Sequence, residues 1–157
     1  MTQSNPLIPA LLTDKVAIVT GASRGLGAQI AEQMAAAGAY VCVNELSSED
    51  AAGRVVADII TAGGQAFAYQ ADVSDLAKMQ ALAAEVVARY GRIDILVNNA
   101  LPSYQFNPSA DYTSIETVKW AHFSQQLDGI VKGAVNSVQA VLPQMKTQKM
   151  GKIINIS

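Results

Sequence analysis

The chain has 157 residues, the length of a single domain. Eleven Lys and Arg against thirteen Asp and Glu leave a formal charge of −2, without the basic excess that marks a nucleic-acid binder. Half of the residues are hydrophobic and 15% are charged, which excludes a disordered chain and supplies a core that needs no disulfides.

Val16-Ala17-Ile18-Val19-Thr20 is a short apolar run of the kind that forms a strand buried on both faces. A glycine-rich turn follows, then a helix over Leu26–Ala37 with Leu26, Ile30 and Met34 four apart on one face and Gly38 as its stop. Tyr40–Glu45 reads as the second strand. Ser47-Ser48-Glu49-Asp50 opens a helix with hydroxyls and acids at its positive end, and that helix runs to Thr61 before Gly63-Gly64. Gln65–Gln70 is the third strand. Ser74-Asp75 opens a helix that buries Leu76, Met79, Leu82, Val86 and Tyr90 and stops at Gly91. Ile93–Val97 is the fourth strand. The segment Leu101–Ser114, with Pro102 and Pro108, reads as a long loop. A long helix over about Glu116–Lys146 carries an apolar stripe from Phe123 through Leu127, Ile130, Val131, Val135 and Val138 to Val141, with Pro143 set to kink or end it. Ile153–Ile156 is the fifth strand. Strands separated by helices predict βαβ units, hence an α/β fold with a doubly wound parallel sheet in one domain over 1–157.

The chemistry concentrates where the first strand meets the first helix. In Thr20-Gly21-Ala22-Ser23-Arg24-Gly25-Leu26-Gly27 the glycines permit a tight turn and close approach of a ligand, and the helix N-terminus behind them favours a pyrophosphate. The Gly-Lys-Ser/Thr ending of a P-loop is absent, which disfavours NTP hydrolysis. Glu45 closes the second strand where a dinucleotide fold places an acid for the adenosine ribose, and a carboxylate there favours NAD. Arg24 pulls toward NADP, so the choice stays open at this point. Asp72-Val73 follows the third strand at its ligand-binding end. The Asp72 carboxylate either accepts from an adenine amino group or caps the next helix, with Ser74 as the competing cap. Asn98-Asn99-Ala100 ends the fourth strand with amides able to hold loop backbone and approach a cofactor ribose, or to serve as turn residues only.

The lone Cys42 and lone His122 fit no metal site and no Ser-His-Asp triad, and His122 reads as a partly exposed helix residue. No segment has the apolar length of a membrane span, and Met1–Pro6 lacks the basic start of a signal peptide, so the expectation is a cytoplasmic protein.

Together, Thr20–Gly27, Asp72-Val73, Asn98-Asn99-Ala100 and Gly151-Lys152-Ile153-Ile154-Asn155-Ile156-Ser157 resemble the classical short-chain dehydrogenase/reductase family in order and spacing. The resemblance covers the chain from about Asp14. It implies strand order 3-2-1-4-5 and a sheet that stops short after the fifth strand. It implies NAD or NADP held by Gly21, Ala22, Ser23, Arg24, Gly25, Leu26, Asp72, Val73, Asn99 and Ala100, with Gly27 packing the helix and Glu45 at the ribose. It also implies a small carbonyl or alcohol substrate and a homo-oligomer using the long helix.

Three departures from the family pattern stand out. Leu101 replaces the usual Gly after Asn-Asn-Ala. The family's helix Asn falls on Ile130, counting from Gly133, or on Gln126, counting from Gly129. The catalytic Ser belongs one residue beyond Ser157, and no tyrosine begins a Tyr-x-x-x-Lys: Asn44, Val73, Asp94, Pro108 and Glu116 follow Tyr40, Tyr69, Tyr90, Tyr104 and Tyr112 at that spacing. The chain is thus expected to carry no catalytic residue and to be the cofactor-binding part of an oxidoreductase, inactive alone. The alternative is an inert dinucleotide-binding or self-associating module. The aromatics Tyr104, Phe106 and Tyr112 are possible substrate lining or local packing.

Overall fold

The structure, a computed structural model, describes residues 10–101 and 114–156, without the side chains of His122 and Gln125. Tyr104, Phe106, Tyr112 and Ser157, like most of the expected loop, lie outside the described residues, as does the His122 side chain.

Five parallel strands form one sheet, β1 (Val16–Val19), β2 (Tyr40–Glu45), β3 (Gln65–Gln70), β4 (Ile95–Asn98) and β5 (Lys152–Asn155), in the order β3-β2-β1-β4-β5. The doubly wound α/β arrangement expected from the sequence is therefore present. Three strands, β1, β2 and β4, are largely apolar and buried because helices cover both faces. Val19, Val41, Val43 and Val97 face α1 (Gly25–Ala36) and α2 (Glu49–Thr61). Ile18, Cys42, Phe67 and Leu96 face α3 (Leu76–Tyr90) and α5 (Gly133–Thr147). Cys42 is wholly buried between these layers, and burial pushes its thiol pKa up.

Asp94 fastens the N-terminal end of the sheet. Its Oδ2 accepts from the Val16 N–H at 2.9 Å, and the Arg92 guanidinium forks onto both its oxygens at 2.6 and 2.7 Å. Burial would raise the Asp94 pKa, but these donors outweigh it and hold the carboxyl below its usual range.

Several details differ from the sequence expectation. The buried face of α1 is Gly27, Ala28, Ala31 and Ala35, not the larger Leu26, Ile30 and Met34. Small side chains line the contact with the sheet, while Ile30 and Met34 pack at the margin and Leu26 is exposed. α3 is capped by neither Asp72 nor Ser74: Asp75 accepts from the Ala77 and Lys78 N–H groups. The long helix starts at α4 (Trp120–Leu127) rather than near Glu116 and passes through a π-helical turn, Asp128–Lys132, before α5. Pro143 does not end it, since α5 continues to Thr147. The first half of its apolar stripe is uncovered: Phe123, Leu127, Val131 and Val135 are all exposed. β5 is exposed along its length, although Ile156 just beyond it reaches the α1-side core. No helix among the described residues is long and apolar enough to cross a membrane.

Candidate functional site

The C-terminal ends of the strands meet at the glycine turn, and hydrogen bonds fix its shape. Thr20 Oγ1 accepts from the N–H groups of Asn99 and Ala100, both at 3.0 Å, and donates to the Val97 carbonyl. The Asn99 side-chain amide donates to the carbonyls of Thr20 and Gly21 at 3.0 and 3.2 Å. Ala22 is buried, and its N–H donates to the Asn44 carbonyl. Thr20, Asn99 and Asn44 thus clamp the turn from two neighbouring strands.

Two glycines are needed for different reasons. Gly21 has φ +63°, and a Cβ there would stand 2.8 Å from the Ala100 Cα. Gly27 is helical, but a Cβ on it would collide with the Asn99 amide and lie 2.5 Å from the Gly21 carbonyl oxygen. By contrast Gly25, at φ +57°, faces open space. Beyond it, α1 begins with no side-chain cap at Arg24 and no acid in its first turn. The first amides of a helix have no intrahelical acceptor and sit at its positive end. Such amides favour an anion in general, and the exposed Arg24, Gly25 and Leu26 border them.

Three other expected site residues surround this turn. Glu45 is only 2% exposed, and its Oε2 accepts a hydrogen bond from the Ser48 N–H. It is therefore a buried strand-end carboxylate, not a loose surface acid. Asp72 Oδ1 accepts from both the N–H and the hydroxyl of Ser74, at 2.8 and 2.7 Å. The Ser74 hydroxyl is the main reason the Asp72 carboxyl is held below its usual range, with Lys78 and Lys132 assisting against burial. Val73, next in the chain, is half-buried and borders a cavity of ≈ 290 Å³ with Thr20, Asn98, Ala100, Ile130 and Ile156. Of the two positions considered for the family's helix Asn, Ile130 lines this cavity and Gln126 is not among its lining.

Sequence reasoning missed Asn44 and Asn136. Asn44 is buried in β2 and donates to the carbonyls of Tyr69 and Ala71 at 3.3 and 3.0 Å, joining the ends of β2 and β3. A polar residue directly after the apolar run Val41-Cys42-Val43, still within the second strand, was the available signal. Asn136 lies on α5 and donates to the Val73 carbonyl at 3.0 Å.

The sequence profile of the family described as short chain dehydrogenase matches residues 15–157. The chain belongs to the short-chain dehydrogenase family. It is 40% identical over 143 residues to the 3-oxoacyl-(acyl-carrier-protein) reductase FabG of Staphylococcus aureus, covering 91% of this chain and 55% of that protein. The chain spans about half the length of the curated relatives it matches. Among solved structures, a metagenomic short-chain oxidoreductase in complex with NADP superposes with a TM-score of 0.79 at 36% identity, over 93% of this chain and 63% of that one. A 7α-hydroxysteroid dehydrogenase complexed with NADH and 7-oxo glycochenodeoxycholic acid gives 0.80 at 34% identity, over 94% and 55%. This short-chain dehydrogenase chain therefore carries the family's oxidoreductase fold, and the solved relatives hold NADP or NADH.

Proposed function

We propose that this chain binds a nicotinamide dinucleotide and is the cofactor-holding part of an oxidoreductase interconverting a carbonyl and an alcohol. The observation that carries the reading is the α1 N-terminus: uncapped, free of acids in its first turn, and fronted by glycines at Gly21 and Gly27 that leave no room for side chains. The pyrophosphate would rest on the first amides of α1. Glu45 would accept from the adenosine ribose, Asp72 from the adenine 6-amino group, and Asn99 with Ala100 would border the second ribose. When bound, the nicotinamide ring supplies or takes up a hydride. Residues 1–157 hold no Tyr-x-x-x-Lys pair to exchange a proton with the substrate oxygen, so this chain alone is expected to bind without sustained turnover.

The cofactor we infer is NAD(H). A 2′-phosphate would approach the Glu45 carboxylate, which is buried and held by the Ser48 amide, whereas Arg24 is exposed and has water as an alternative partner. Fluorescence titration of the purified chain with NADH and NADPH tests both statements. NADH is expected to bind more tightly. Glu45→Gln should narrow the gap by improving NADPH, and Arg24→Ala should weaken NADPH more than NADH. A folded chain that takes up neither nucleotide would end the reading, and tighter NADPH binding by the unaltered protein would reverse the preference.

A second reading, a self-associating module, is favoured by the uncovered apolar stripe on α4 and α5.

A further inference from the structure

We propose that Asn136 on α5 is a positioning residue for the adenine end of the nucleotide, acting through the Val73 carbonyl; this rests on the placement of adenine beside Asp72 proposed above. The Asp72-Val73 segment leaves β3 without a strand partner; one backbone bond, from the Asp75 N–H to the Asp72 carbonyl, holds it, and the other bonds to it come from side chains. On its own side, Asp72 is tied to Ser74 by two hydrogen bonds to Oδ1. From across the molecule, the Asn136 Nδ2 donates to the Val73 carbonyl at 3.0 Å, a contact spanning 63 residues of sequence. Asn136 is 7% exposed, and a buried side-chain amide in the middle of a helix is costly unless its hydrogen bonds are made. One turn earlier, α5 presses on the same residue by shape. A Cβ on Gly133 would come within 2.7 Å of the Val73 Cγ2, so the helix touches Val73 with almost no clearance.

The two contacts are independent, one polar to backbone and one steric to side chain, and both converge on Val73. They fix the direction in which the chain leaves β3, and with it the direction in which the Asp72 carboxylate points. An acceptor reads a 6-amino group only at a set distance and angle. Hence α5, which contributes no residue to the nucleotide sites assigned from the sequence, sets how sharply the site distinguishes adenine.

The test is a selectivity ratio, which a general loss of stability would not move. NADH is compared with reduced nicotinamide hypoxanthine dinucleotide, in which a carbonyl oxygen replaces the 6-amino donor and would face the Asp72 carboxylate. The unaltered chain should prefer NADH by about tenfold, the range of one hydrogen bond exchanged for a repulsion. In Asn136→Leu this preference should fall to about twofold or less, while the hypoxanthine nucleotide binds nearly as before. Gly133→Ala, which displaces Val73 without touching the amide, should lower the ratio in the same direction and serves if Asn136→Leu does not fold. Ser137→Ala, which removes only a hydroxyl bonded to the Gly133 carbonyl within the same helix, should keep the full ratio. A folded Asn136→Leu or Gly133→Ala with the original ratio, or with both affinities reduced equally, overturns the role of α5. An unaltered chain that binds the two nucleotides equally, or binds neither, instead overturns the placement of adenine at Asp72.

Discussion

Asn99 and Gly27 work as a pair. The Asn99 amide reaches the carbonyls of Thr20 and Gly21 only because Gly27 carries no side chain in its path. Gly27→Ala must displace Asn99 or lift α1 off the turn, an overpacking that costs about 1–3 kcal/mol. Its urea midpoint should fall accordingly, and NADH affinity should fall further, because the displaced amide holds the Thr20 and Gly21 carbonyls of the turn proposed to carry the pyrophosphate. Unchanged denaturation and unchanged titration in this variant would show that the turn can relax. Gly21→Ala meets a different obstacle, the left-handed backbone at φ +63°, which side chains adopt only under strain.

Asp94 joins the start of β1 to the start of β4, so the sheet's N-terminal margin depends on its charge. Its folded pKa lies below the unfolded value, so its contribution is present at neutral pH and is lost as the pH falls through the folded pKa. Stability measured by urea should therefore hold from pH 7 to about 5 and then decline through the acid range. Asp94→Asn should be less stable at pH 7 and show a shallower acid decline; an equal decline in both proteins would remove Asp94 from the account. The strands were readable in the sequence where apolar runs end at strong stops: β2 and β3 have the expected bounds, between Gly38 and Gly64 and the polar turns that follow them. The face of α1 was not, because periodicity marks which residues share a side but not which are small enough to touch the sheet. The turn's glycines stood out by their place between a strand and a helix, and Asp72 as a candidate chiefly by the family resemblance. Asn136 did not, because a single polar residue in a helix looks the same whether it faces water or a carbonyl 63 positions away.

The two layers flanking the sheet are unequal. α1 and α2 cover β1 and β2 with small, close-packed side chains, whereas α4 and the π-helical turn leave Phe123, Leu127 and Val131 in the open. Exposed apolar patches of this kind commonly mark association surfaces. The chain is expected to form dimers or larger species by light scattering at about 10–100 μM, the range where modest apolar contacts act. Val131→Lys should shift the distribution toward monomer without lowering the melting temperature, and a monomeric unaltered chain at those concentrations would count against a self-associating module.

Cys42 gives the molecule a clock. It is the single thiol of the chain, enclosed in the middle of β2 and held protonated by its surroundings. A thiol-directed reagent can reach it only when that strand leaves the sheet, so the pace of labelling counts openings of the interior itself. Any molecule that grips the folded form should slow the count in proportion to its occupancy, reporting attachment through a sulfur atom that never meets it.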